Sequence, residues 1–187
     1  MEESELEIDV KEEVEKIEEE RDKSFSWMRY LSLSTVIIAV VAAVASLLSG
    51  SFSNEGLIEK NNSILYQNKA SDQWNYYQAK GIKKNIADAF YQQSNNKSFK
   101  DQSTQYGNEQ LDIQNKAKEF EKQVEESNTA SEHFLEKHHK MAFAVTFFQI
   151  GIALSALSSL MKKRLFFIIS LIFACLGIGF MVMGFVL

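Results

Sequence analysis

Three stretches of this chain run for about twenty residues each without a single charge, the length that spans a bilayer. They are YLSLSTVIIAVVAAVASLL from Tyr30, MAFAVTFFQIGIALSALSSLM from Met141, and the run from Leu165 to Leu187. At 1.5 Å per residue, each helix crosses a hydrocarbon core of roughly 30 Å. Three such runs exceed the apolar surface that 187 residues bury in a soluble core. A mean hydropathy of −0.19 conceals this by averaging greasy and charged stretches. The absence of proline predicts long unbroken helices, and a single cysteine excludes an intrachain disulfide framework or a multi-cysteine zinc site. A formal net charge of −5 argues against nucleic acid as a partner. The expected fold is an all-α membrane protein. An acidic tail (1–29) leads into a first transmembrane helix (30–49). An antiparallel, coiled-coil-like helical hairpin (50–140) follows, outside the membrane. Two further transmembrane helices (141–161 and 165–187) close the chain.

Ala43 and Ala45 give the first run the look of a signal-peptide cleavage site, but the long acidic segment upstream is the wrong start for one. Orientation follows the basic residues near the span ends. Lys162, Lys163 and Arg164 form a short basic loop that belongs in the cytoplasm, and Lys16, Arg21, Lys23 and Arg29 agree with it. Lys137 and Lys140 argue the other way, from a long loop whose charges count less. The N-terminus is therefore expected inside, with the hairpin and C-terminus extracytoplasmic. Trp27 and Tyr30 stand where an interfacial aromatic belt is expected.

The tail carries twelve carboxylates and three basic residues between Glu2 and Asp22. Leu6, Val10, Val14 and Ile17 form a narrow helical stripe, and Ser4 with Glu7 fits a capping box. Two readings stand side by side: a short amphipathic surface helix, or a solvating disordered tail. Its charge is wrong for anionic lipid.

From Tyr106, steps of four and three pass through Gln110, Ile113, Ala117, Phe120, Val124, Ser127, Ser131, Phe134 and His138. They continue through Met141, Val145, Phe148 and Ile152, so this heptad seam predicts one helix running into the second span. In the upstream arm Ile58, Leu65, Ala79, Ile82, Ile86 and Ala89 suggest the matching seam, with Asn61, Asn68, Asp72 and Asn75 at positions between them. SNNKSFKDQS, from Ser94 to Ser103, has turn composition. In that register Trp74 meets Phe120 and Asp72 meets Lys122.

KASDQWNYYQAKGIKK, from Lys69 to Lys84, resembles the signature of an uncharacterised bacterial membrane-protein family known only as domain of unknown function 4337. The resemblance extends over nearly the whole chain: a charged tail, one span, a helical middle ending in histidines, and two closing spans. Gly81 stands where a serine is common in that family, and Gly107 loosens the second arm. The resemblance implies an integral membrane protein of the bacterial inner membrane and transfers no catalytic residue.

Within the motif Asp72, Gln73, Trp74, Tyr76, Tyr77 and Lys80 form a polar-aromatic patch suited to packing against another helix or subunit. A ligand or lipid-headgroup site is the competing use of such amphipathic rings. His133, Glu136 and His139 share one helical side, and the Glu136-x-x-His139 spacing occurs in di-iron bundles. Such sites require a second motif, which this chain lacks, so no metal or other cofactor is expected. His138 lies on the seam as a packed, register-setting residue.

The spans hold no Asp, Glu, Lys, Arg or His, which argues against ion-coupled transport and proton pumping. They offer small-residue faces instead: Ala42, Ser46 and Gly50 in the first, Gly151, Ser155 and Ser159 in the second. Gln149 offers an interhelical hydrogen bond; Gly177, Gly179 and Gly184 of the third either pack or reflect membrane composition, and Cys175 reads as a small apolar residue rather than a reactive thiol. No phosphate loop, nucleophile elbow or dinucleotide fingerprint occurs, so no enzyme is expected. The leading reading is a membrane scaffold that contacts lipid and self-associates or binds a protein partner. The alternative is a small oligomeric or tension-responsive pore lined by Ser32, Ser34, Thr35 and Gln149. A weaker one is a metal- or lipid-sensing module built on the histidines.

Overall fold

The computed structural model describes the backbone of residues 2–187, and the side chains of Glu13 and of residues 27–187. The expected tail stripe of Leu6, Val10, Val14 and Ile17, and the Ser4–Glu7 box, lie outside the described side chains. Among the described residues all regular structure is helical: α1 Glu2–Ser94, α2 Lys97–Met161 and α3 Arg164–Val186. All three helices are long and apolar enough to cross a membrane. The chain divides into two compact units, residues 1–50 with 137–187, and residues 51–136. Both α1 and α2 contribute to each.

Two consecutive asparagines separate α1 from α2, and each has its own task. Asn95 takes the left-handed conformation (φ 49°) that ends a helix, its N–H still bonded to the Tyr91 carbonyl at 2.8 Å. Asn96 caps the next helix, its Oδ1 accepting from the Ser98 N–H at 3.0 Å. The turn is therefore shorter than its composition suggests. Residues 97–103 are already helix, because the Asn96 cap satisfies a donor that a longer loop would leave to water. Lys162 makes the second break in the same left-handed way (φ 51°), and Ser158 Oγ donates to the Lys163 carbonyl at 2.9 Å.

In the first unit, Ile38, Ala42 and Ala45 of α1 pack with Ala144 and Phe148 of α2 and Ala174 of α3. The small face of α1 differs from the one expected. Ala42, Ala45 and Ser49 are buried, whereas Ser46 and Gly50 are exposed. Steps of strictly four advance about 40° too far around a helix of 3.6 residues per turn, so that stripe winds away from its neighbour. On α2, Gly151, Ser155 and Ser158 are buried, whereas Ser159 is exposed. Their partner is α3 of the same chain. Ser170 Oγ donates to the Gly151 carbonyl at 2.7 Å and lies 2.8 Å from Ser155 Oγ. Gln149 is exposed. Phe147 stacks with Phe180 at 5.3 Å and also meets Phe173.

His138 also belongs to this unit. Its Nδ1 lies 2.9 Å from the Ser49 carbonyl and 3.0 Å from Ser49 Oγ. A carbonyl only accepts, so the proton sits on Nδ1. Only 22%, 33% and 17% of the most apolar window of the three helices is buried within the chain. Leu33, Ile37, Val40 and Leu47 of α1 point outward, as do Ile168 and Val182 of α3. That much outward aliphatic surface calls for an apolar surrounding.

In the second unit the residues meeting across α1 and α2 run in opposite order, so the arms are antiparallel. Ser131 Oγ donates to the Gly56 carbonyl at 2.8 Å, Ser63 Oγ to Asn128 at 2.9 Å, and Phe90 stacks on Phe99 at 5.4 Å. Every position of the α2 seam from Tyr106 to Phe134 is buried or half-buried. The α1 arm is turned otherwise than expected. Ile58, Leu65, Ile82 and Ile86 are about half exposed or more, and Ala79 and Ala89 are exposed. The face towards α2 runs through Gly56, Ser63, Tyr66, Ala70, Tyr77, Lys84 and Ala87. Small residues there let the helices close: a Cβ at Gly56 would lie 3.1 Å from Leu135 Cγ.

Candidate functional site

The signature stretch lies in the middle of the α1 arm, and the antiparallel register sets its residues against α2. Lys80 is the centre. Its ammonium pairs with Glu109 and lies 5.3 Å from the Tyr76 ring and 5.2 Å from the Tyr106 ring. The side chain is only 13% exposed. A cation between two ring faces beside a carboxylate is held by charge and by both quadrupoles. The hydrogen bond to Glu109 raises the Lys80 ammonium above its ordinary value, against the opposing pull of burial. Bonds from Lys80 and then Gln105, the latter at 2.9 Å, hold the Glu109 carboxyl below its own.

Two further contacts extend the clamp. Trp74 Nε1 donates to Glu121 at 2.8 Å, and its ring meets Tyr77 edge-on at 5.5 Å. Gln110 Nε2 donates to the Tyr77 carbonyl at 3.1 Å, over Gly81, where a Cβ would come within 2.7 Å of that nitrogen. About two turns before Trp74, Phe120 stacks on Tyr66 at 6.4 Å, with the Lys69 ammonium 5.4 Å and 5.7 Å from the two rings. The expected Trp74–Phe120 and Asp72–Lys122 pairs give way to these. Trp74 reaches the next residue along α2, and Lys122 pairs within its own helix with Glu126 at 3.5 Å.

The structure thus divides the expected patch. Trp74, Tyr77 and Lys80 serve the contact between arms, and Tyr76, though exposed, lends its ring to the Lys80 clamp, while Gln73 is half-buried and Asp72 is exposed. Beside the clamp lies an open groove of about 480 Å³, bordered by Tyr77, Lys84, Ser103, Thr104, Gly107 and Gln110. Glu109, Gln110 and Glu121 were not legible as partners of the motif. They lie 29 to 47 residues further along the chain and become partners only once the register is known.

The histidines are arranged differently. His133 is exposed with its ring against Phe134, and the His138 and His139 rings are 5.5 Å apart. Among the described residues no three His, Cys, Asp or Glu side chains come together as a metal site.

The family model described as "Domain of unknown function (DUF4337)" matches residues 27–187, which include the clamp and all three helices long enough to span a membrane. The chain belongs to this family. No curated protein and no solved structure matches it. In this DUF4337 protein the stretch Lys69–Lys84 supplies polar contacts from α1 to Glu109, Gln110 and Glu121 of α2, so its residues have a physical task in the fold itself.

Proposed function

We propose that this DUF4337 protein is a non-enzymatic scaffold of the bacterial inner membrane. In this reading it crosses three times, with the N-terminus cytoplasmic and the 51–136 hairpin and C-terminus extracytoplasmic. It self-associates or holds a protein partner through the hairpin. The observation that carries it is the use made of the signature. Trp74, Tyr77 and Lys80 are spent on stiffening a two-helix arm, which is what an extended interaction surface requires. The hydroxyls of Ser32, Ser34 and Thr35, the expected lining of a pore, each bond to a carbonyl of their own helix. So satisfied, they sit in lipid at little cost. Native mass spectrometry in nanodiscs tests this proposal. A discrete oligomer is expected, and a monomer at every protein concentration overturns self-association.

A further inference from the structure

The face of the α1 arm turned away from α2 is a stripe in its own right. Leu57, Ile58, Ile64, Leu65, Ile82 and Ile86 are each between 49% and 61% exposed. Among the described residues of the same unit, α2 exposes one large aliphatic, Leu111. The stripe keeps heptad spacing: Ile58, Leu65, Ala79 and Ile86 fall at one position, Asn61, Asn68, Asn75 and Ile82 at the next. This arm therefore carries two seams, a small-residue one towards α2 and an aliphatic one turned outward.

We propose that the outward seam is a parallel, in-register interface with a second copy of this chain. The proposal rests on the self-associating scaffold reading and names its surface. Copies inserted in one membrane share one sense, so a twofold axis along the membrane normal brings α1 beside α1 with each residue opposite itself. A residue opposite itself must suit its own kind. Aliphatic side chains do, and so does the asparagine amide, which both donates and accepts. Asn61, Asn68 and Asn75 then pair across the seam one heptad apart and fix the register. The outward face of α2 has the wrong chemistry for this stripe, since Lys122, Glu125, Glu126 and His133 border its shallow depression. From Leu57 to Phe90 the seam is about 50 Å long, and at a width of about 10 Å two copies bury about 1,000 Å², the lower limit of specific interfaces. Asp72 is the one like-charged layer, a cost in stability.

Full-length protein with Cys175→Ala, reconstituted in liposomes, carries single cysteines in place of Asn61, Gln67, Asn68 or Glu126 and is mildly oxidised. Disulfide dimers are expected at Asn61→Cys and Asn68→Cys, at least fivefold above Gln67→Cys, which points about 100° away around the helix. Equal yields at positions 67 and 68, or a preference for Glu126→Cys, overturn the seam. The native mass of the unsubstituted protein separates the two readings. An oligomer without the 61/68 preference sinks the seam alone, and a monomer sinks self-association with it. Asp72→Asn gives a readout that needs no cysteine: removing the like-charged layer should raise the oligomer fraction at fixed concentration. A fall or no change counts against the register.

Discussion

The ring of Phe148 fills the space in which a side chain at Gly177 would begin. A Cβ there would lie 2.6 Å from Cε1 and 2.7 Å from Cδ1, and Phe148 itself is 1% exposed. The ring has nowhere to retreat. Gly177→Ala is therefore expected to cost about 1–3 kcal/mol, the usual range for overpacking. Gly179→Ala, which meets nothing within 4 Å, is the control and should not lower the thermal midpoint in detergent. Equal midpoints for the two variants would mean that α3 does not pack on α2 as described.

Ser170 ties α3 to α2 through the Gly151 carbonyl and Ser155. Removing its hydroxyl in Ser170→Ala should cost about 0.6–1.7 kcal/mol, as for hydrogen bonds between membrane helices. Ser170→Val should cost more, because it adds volume where the Gly151 backbone approaches. Ser155→Ala in the Ser170→Ala background is expected to add little further loss. Chemical denaturation in mixed micelles measures all three.

The Lys80–Glu109 pair gives the hairpin a pH signature. A carboxyl held low in the fold contributes stability above its ordinary value of 4.5 and loses it as pH falls through the lower folded value. An ammonium held high contributes below 10.5 and loses that contribution as pH rises through the raised value. The advantage of the unsubstituted protein over Glu109→Gln should thus be constant between about pH 5 and 10 and shrink towards both ends. Thermal melts carried beyond both ends of that range decide it. An advantage that survives full protonation would show that the pair is not its source.

Gly56 and Gly107 stand in the same two-helix unit and should answer oppositely to alanine. At Gly107 a Cβ would meet only the Lys84 side chain, at 3.7 Å or beyond, so the gain in helix propensity of about 1 kcal/mol goes uncontested. At Gly56 it would press on Leu135 and the Ser131 carbonyl at 3.1–3.4 Å. A higher melting temperature for Gly107→Ala and a lower one for Gly56→Ala are expected by circular dichroism.

The α2 seam was legible because Tyr106, Ile113, Phe120 and Val124 are apolar against a charged background and carry their own period. The α1 arm was not, for a reason of size. Gly56, Ser63 and Ala70 have almost no hydropathy signal, so Ile58, Leu65 and Ile82 on the other face outweigh them. What buries a residue there is the close approach of a second helix, and that information lies on α2. The signature patch was visible as a cluster, yet its split into inward Trp74 and Lys80 and outward Asp72 depends on the same approach. The span faces show it again: Ser158 rather than Ser159 is buried because the Lys162 break aims α3 at that side.

The two-residue connection at Asn95 and Asn96 bears on how the hairpin comes to exist. Phe90 and Phe99 meet across nine positions, so their contact closes a very short loop. Each later pair, from Gly81 with Gln110 to Gly56 with Ser131, adds only a few residues to one already closed. A chain built this way nucleates at its tip and zips towards its base, paying loop-closure entropy in small instalments. The asparagine pair is thereby expected to select the register before the Lys80 clamp forms, and a single residue inserted beside it to be propagated along both arms.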